Sequence, residues 1–387
     1  MSRAQAIQLN QEADAKYFRG AFHEAWSTYT QAIRVDPTYA RSYNSRAVSC
    51  TRLDRYSEAL VDFRRALLLD PSYSGAYLGC SVCMSWFELF AEALEYATKA
   101  HALDCASSAA LYEQGFVLYR IGRHAEAIDR FQQALVLSPN DGNCFYYMGM
   151  ARAALHQYRL AIQDFTSAVH FAEAGAEARA YGERASAYNR LGEHHLALQD
   201  YTTAIASRPT SVLHNDRGIV EVHLERLEDA VADFTMAVTL DPLDSVAFSN
   251  RSVALTRLAR YDEALRDSDR SIELLPSDGC PYVNRGFTRE RLGMHDDARR
   301  DWLRARELLL QHEPQNLEWV HFYHGRALRG LRRFEEAIEH QTNAIKLNRT
   351  AGRCFAERGF AYLQLGQDAA ADRNFQEAIR INPAGMS

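Results

Sequence analysis

The feature that most constrains this chain is a pair of small residues, seven positions apart, that returns at a nearly fixed interval. The first member is Ala25, Ala59, Ala93, Ala127, Ala161, Ala197, Ala230, Ala264, Ala298, Ala337 and Ala371, and the second is alanine in ten copies and Ser271 in the other. Successive first members lie 34, 34, 34, 34, 36, 33, 34, 34, 39 and 34 residues apart. A period of this length marks one supersecondary unit used over and over, each copy burying its apolar face only against its neighbours. The composition suits such a chain, with 47% hydrophobic and 24% charged residues.

With each unit numbered from slot 1 to slot 34, starting at Ala6, the recurring alanine falls at slot 20. Slot 8 is then always small: Ala13, Ala47, Ser81, Gly115, Gly149, Ala185, Gly218, Ser252, Gly286, Gly325 and Gly359. Slot 24 is aromatic in eight of eleven units, among them Tyr29, Phe63, Phe131, Phe165 and Trp302, and slot 32 is proline in seven, from Pro37 to Pro383. Small residues let two helices approach closely, the aromatic fills the space between neighbouring hairpins, and proline ends the second helix.

Period, small slots, aromatic slot and terminal proline together resemble the tetratricopeptide repeat (TPR) family. The resemblance implies an all-α fold, a right-handed superhelical α-solenoid of about eleven helix-turn-helix repeats. The repeats are expected at 6–39, 40–73, 74–107, 108–141, 142–175, 178–210, 211–244, 245–278, 279–312, 318–351 and 352–385, a single array over 6–385 with a longer junction at 313–317. It also implies that first helices line a concave surface, so specificity is sought at slots 2, 5, 6, 9, 12 and 13. The fold itself serves many roles, and function has to come from those slots.

The carboxylate clamp of TPR co-chaperones needs lysine at slot 5 and asparagine at slot 9. Here no slot-5 residue is basic and slot 9 holds no asparagine, so a carboxylate-clamp chaperone partner is not expected. The family's asparagine ladder at slot 6 has only Asn250 and Asn284 here, beside Glu113, Glu183, Asp216 and Glu357. The two asparagines could hold an extended segment or simply be exposed polar residues. The acids would favour partners carrying Lys or Arg. Slot 9 is largely apolar, with Phe116, Met150 and Phe287, and Tyr112, Tyr119, Tyr146 and Tyr147 stand on nearby slots. Aromatic residues gathered in a groove are typical anchors for a peptide or helix, although some could instead pack against adjacent repeats.

Arginine at slot 7 and aspartate at slot 23 recur together: Arg46 with Asp62, Arg184 with Asp200, Arg217 with Asp233, Arg251 with Asp267, and Arg285 with Asp301. The acid keeps step with the base, which reads as a structural ion pair between helices rather than a phosphate site. Cys80-x-x-Cys83 lacks a second pair, and His194-His195 and His321-x-x-His324 are isolated, so no metal and no cofactor are expected. The arginines Arg299, Arg300, Arg304 and Arg306 lie on a second helix with Asp301 and Glu307 interspersed, as on a solvated face.

No catalytic motif or non-repeat segment offers an active site, so the chain reads as no enzyme. The function expected is a non-catalytic scaffold or adaptor that binds peptide segments of partner proteins in a concave, partly aromatic groove. A second reading is a structural or self-associating subunit of a larger assembly, and a third is an RNA-binding solenoid, which the net charge of −6 disfavours. No apolar run suits a signal peptide or membrane span, and seven cysteines form no regular framework, so a cytoplasmic location without membrane insertion is expected.

Overall fold

The computed structural model describes residues 3–172, 177–312, 317–349 and 351–381. Among these residues every regular element is an α-helix, 22 in all, as expected of an all-α solenoid. Where the sequence reads as a single array, the chain divides into two compact units, Met1–Glu173 and Ala174–Ser387. The division falls at the spacing of 36 between Ala161 and Ala197. Most of the junction expected at 313–317, and the repeat ends at 173–175 and 382–385 with Pro383, lie outside the described residues.

The N-terminal unit runs α1 (Arg3–Phe18), α2 (Phe22–Val35), α3 (Ala40–Arg52), α4 (Tyr56–Leu69), α5 (Ser74–Trp86), α6 (Phe90–Leu103), α7 (Ser108–Arg120), α8 (His124–Leu137), α9 (Gly142–Ala154) and α10 (Tyr158–His170). The C-terminal unit begins with α11 (Glu177–Arg190), α12 (His194–Ser207), α13 (Ser211–His223), α14 (Leu227–Leu240), α15 (Ser245–Arg257) and α16 (Tyr261–Leu274). It ends with α17 (Cys280–Arg291), α18 (His295–Leu310), α19 (Glu318–Gly330), α20 (Phe334–Leu347), α21 (Gly352–Gln364) and α22 (Asp368–Ile381). Each odd-numbered helix forms a hairpin with the helix that follows it, and each even-numbered helix packs on the next odd one within its unit. First helices also touch first helices: α1–α3, α3–α5, α5–α7 and α7–α9 in one unit, and α11 through α21 in the other. In each unit the first helices therefore form a continuous row, which is the face that positions the groove slots.

Backbone chemistry sets the helix ends. Slot 15 sits in the left-handed region in every repeat, as glycine at Gly20, Gly122, Gly192, Gly293 and Gly366 and as other residues at Asp54, Glu88, His156, Glu225, Ala259 and Arg332. The amide one residue later reaches back to slot 11, as from Arg226 to Glu221 O at 2.9 Å, which closes the first helix. At the far end of α2, Asp36 leaves helical geometry before Pro37, and its carboxylate accepts the Thr38 amide at 2.9 Å.

The core explains slot 8. A Cβ on Gly115 would lie 2.7 Å from the Phe131 ring, and one on Gly286 would lie 2.4 Å from Trp302 Nε1. The slot-24 aromatic thus packs on the small residue of its own hairpin, and it also reaches the next hairpin, where a Cβ on Gly79 would lie 2.2 Å from Phe63. In the eighth repeat the sizes change together, since Ser252 occupies slot 8 and Ser268 slot 24, both buried.

Candidate functional site

The groove slots bring six of the expected binding residues into one patch of the N-terminal unit. Tyr112, Phe116 and Tyr119 share one face of α7 because they are four and three residues apart. Tyr146, Tyr147 and Met150 occupy the adjacent α9. Tyr147 is the hub: its ring centroid lies 6.1 Å from Tyr112, 5.1 Å from Phe116, 5.9 Å from Tyr119 and 5.1 Å from Tyr146. All six side chains are half-buried. The rings rest on Phe131 and Phe165 behind them, at 6.4 Å from Tyr147 and 6.0 Å from Tyr146. Burial pushes the Tyr112 hydroxyl above its ordinary value, so it stays protonated. The result is a wall of rings whose positions are fixed by their mutual packing, which lowers the conformational cost of binding.

Glu113, expected to attract basic partners, does not face this groove. It is buried and accepts from Ser85 Oγ at 2.7 Å and Ser81 Oγ at 3.2 Å on α5, and burial raises its carboxyl. Glu357 in the C-terminal unit is likewise held inside, with Arg329 Nε at 2.7 Å and Arg326 Nε at 3.3 Å.

The remaining expected binding residues lie in the C-terminal unit, on α15 and α17. Asn250 donates to Asn215 Oδ1 at 2.9 Å. Asn284 is 4% exposed, donates to Ser249 Oγ at 3.1 Å and accepts from Arg326 Nη1 at 3.2 Å. To grip a peptide, Asn284 would have to give up both bonds and leave the helix stack. Slot 5 of one repeat bonding slot 6 of the next, as here, joins first helices to each other. Phe287 has Arg326 at 4.6 Å and Arg329 at 4.8 Å from its ring centroid, so cations already cover it.

The recurrent arginines make two-pronged bonds within their hairpins. Arg46 meets Asp62 at 2.6 and 2.7 Å, and Arg184 meets Asp200 at 2.7 and 2.8 Å. Arg217 meets Asp233 and Arg251 meets Asp267, each at 2.6 and 2.7 Å, and Arg285 meets Asp301 at 3.0 and 2.6 Å. A third nitrogen, Nη1, reaches slot 25 of the preceding repeat: from Arg46 to Thr30 at 3.2 Å, from Arg251 to Thr235 at 3.1 Å and from Arg285 to Asp269 at 2.6 Å. This inter-hairpin link was missed in the sequence, although polar residues at slot 25 signal it.

The thiols offer little chemistry. Burial pushes Cys80 and Cys83 up to about 12, so neither is a thiolate at neutral pH. His194 packs on His223 at 4.8 Å between ring centroids, and His321 and His324 both approach His340 of α20. No described helix is long and apolar enough to cross a membrane.

Family models described as tetratricopeptide repeat match residues 40–73, 108–141, 178–211 and 353–384. No curated protein matches the sequence. Among solved structures, yeast Tom70 is 13% identical over 98% of this chain and 92% of its own, with a TM-score of 0.46. A tetratricopeptide repeat protein from Parabacteroides merdae is 16% identical over 65% of this chain and 98% of its own, with a TM-score of 0.48. YrrB, described as a TPR protein with an unusual peptide-binding site, is 25% identical over 48% of this chain and 94% of its own, with a TM-score of 0.39.

Proposed function

This chain belongs to the tetratricopeptide repeat family, and we propose from that premise that it is a non-catalytic scaffold that captures a partner through the ring wall on α7 and α9. The observation that carries the reading is the contiguity of five aromatic side chains on successive first helices, with Tyr147 within 6.1 Å of the other four ring centroids. Aromatic anchors that are already packed and still partly accessible are the usual source of interface energy. With Glu113 buried, the occupant they suit is a segment presenting apolar side chains, either an amphipathic helix or an extended peptide.

The test is affinity capture with the full chain, comparing wild type with Tyr147→Ala. The hub tyrosine is expected to contribute about 2 kcal/mol, a roughly 30-fold loss of affinity for the captured partner, with the helical circular dichroism unchanged. Phe116→Ala, whose ring contacts fewer neighbours, is expected to lose less. A folded Tyr147→Ala variant that captures the same proteins at the same affinity removes the wall as the binding surface.

A further inference from the structure

The C-terminal unit folds around a chamber of about 560 Å³. One wall comes from the sixth to eighth hairpins and the other from the tenth and eleventh. The ninth hairpin, α17 and α18, joins the two walls along the chain. In a solenoid each hairpin is held by its neighbours in sequence, so either wall is stable without the other facing it. Among the described residues no helix of one wall packs along a helix of the other. The walls nevertheless meet at the rim, where a Cβ on Gly192 would lie 3.7 Å from Ile381 O. Closure of this kind is a two-state equilibrium that a small differential interaction can bias.

At neutral pH the charges around the chamber balance. Arg257 is bonded to Glu225 and Arg353 to Glu318, Arg326 lies 3.3 Å from Glu357, and Arg190 and Asp216 share one wall. Two histidines stand among these charges, with ring centroids 4.8 Å apart. His194 Nδ1 donates to Asn189 Oδ1 at 3.0 Å, whereas the buried Nδ1 of His223 meets no hydrogen-bond partner. His223 faces cationic or titratable groups from both walls: His194 of α12 and Arg257 of α15 on its own side, and Arg353 of α21 on the other. Burial and these three push its imidazole down to about 3. Arg353 is braced in place, its guanidinium stacked on Phe322 at 4.4 Å while Glu318 engages Nη2 at 3.0 and 3.1 Å. Asp216 titrates here too, pushed up to about 6 by burial, but Asn215, Arg190 and Asp244, which act on it, all belong to its own wall. His223 is thus the group that registers whether the walls are together.

We propose that the C-terminal unit is a clasp hinged at the ninth hairpin, shut at neutral pH and opened in acid when a proton on His223 sets a cation against Arg353. Opening carries Arg353 away and lets water reach the ring, so the open form binds the proton more tightly. The closed form is therefore fully favoured above pH about 6.5 and loses ground as the pH falls toward about 3. Releasing the whole shift would raise the open-to-closed ratio by about 30-fold between pH 7.5 and 5. His194 and Arg257 stay beside His223 in both forms, so the expected rise is smaller. The clasp lies wholly in the C-terminal unit, and the ring wall on α7 and α9 plays no part in it.

Double electron–electron resonance on the full chain tests the proposal, with spin labels on Gln199→Cys in α12 and Gln376→Cys in α22, both exposed and uncharged. Cys105→Ser and Cys280→Ser remove the thiols that are not buried. A short distance should dominate at pH 7.5. At pH 5 a longer distance should grow, the open-to-closed ratio rising at least about threefold with the helical circular dichroism unchanged. His223→Gln, which cannot take the proton, should keep the short distance at both pH values. His223→Lys, a permanent cation, should show the longer distance already at pH 7.5. Arg353→Gln serves if a His223 variant fails to fold, and should open less at pH 5 than the parent. The same distances at pH 7.5 and 5, or acid opening undiminished in folded His223→Gln or Arg353→Gln, would overturn the clasp. So would a matching response of the glutamine and lysine variants, which would make His223 a packing residue and not a charge switch.

Discussion

The two units share one hairpin and place opposite chemistry on its equivalent slots. In the fourth and fifth repeats, slots 5, 6 and 9 carry Tyr112, Phe116, Tyr146 and Tyr147, packed on one another. In the C-terminal unit slots 5 and 6 are tied up by bonds such as Asn250 to Asn215, and slots 2 and 13 supply arginines to a chamber. The slot 7 and slot 23 pair is a single Arg46–Asp62 contact in the first unit but recurs in four successive repeats of the second. The helix pair is thus indifferent to what its groove slots carry, provided that slots 8, 20 and 24 fit. In the fifth repeat of the first unit the slot-23 acid, Asp164, is met instead by Arg152 at 2.7 Å.

The sharpest way to break that contrast is to remove the acid. Asp233 accepts from Arg217 at 2.6 and 2.7 Å and faces His214 Nδ1 at 2.9 Å. Asp233→Ala leaves the partly buried Arg217 and the buried His214 with Glu221 as the remaining acid beside them, and the expected cost is about 3 kcal/mol. Asp62→Ala in the N-terminal unit should cost less. Both arginines keep a threonine bond at 3.2 Å, Arg46 to Thr30 and Arg217 to Thr202, but Asp62 has no histidine partner like His214, and Arg46 also keeps the Trp26 and Tyr43 rings at 6.0 and 5.9 Å. Urea denaturation followed by circular dichroism measures both. An equal or larger loss for Asp62→Ala would mean that the two units do not differ in what they depend on.

Much of this was legible in the sequence because it is local and periodic. Alanines at slot 20 with small residues at slot 8 specify a close hairpin, and an acid that appears in step with a base at fixed separation identifies the partner. What was not legible depends on stacking and closure. Asn284 looked like a groove residue, but stacking on α15 buries it against Ser249. Thr30, Thr235 and Asp269 at slot 25 form part of the arginine network only because the preceding hairpin brings them alongside. Arg353 faces His223 from a helix four repeats away, which no helical period encodes. The division into two units has only a faint sequence signal, the two extra residues between Ala161 and Ala197, which is smaller than the insertion at 313–317.

An intermediate effect concerns the tenth repeat, where the charged pair of slots 7 and 23 is replaced by His324 and His340, with ring centroids 4.0 Å apart. Burial, then His340, Arg306, His321 and Arg333, push the His324 imidazole from 6.5 down to about 3. A folded value below the unfolded one means that the native state resists the proton. Its stability is therefore intact above pH about 6.5 and falls as the pH drops toward about 3, by about 1.4 kcal/mol per pH unit at most. His324→Gln removes this dependence. Urea midpoints of wild type and variant should move together above pH 7 and diverge below about 6, with the wild type the more acid-sensitive. Parallel curves down to pH 5 would show that His324 takes up its proton in the folded chain as readily as in the unfolded one.

The smallest effect tests whether the units share a turn while differing in their grooves. Slot 15 is left-handed in both, and the fold needs only the backbone there: Gly122 has φ +82° with nothing within 4 Å of where a methyl group would stand, and Ala259 adopts φ 59°. The alanine carries the steric penalty of a Cβ in this region, about 1–2 kcal/mol, against the extra chain entropy that glycine loses on folding, about 0.5–1 kcal/mol. Ala259→Gly should therefore stabilise the C-terminal unit by somewhat under about 1 kcal/mol, and Gly122→Ala should destabilise the N-terminal unit by a similar amount. Both changes lie outside the ring wall, so neither should alter binding there. If the two substitutions have opposite signs and matching sizes, the turn is interchangeable between units, and what distinguishes them lies in the side chains at other slots.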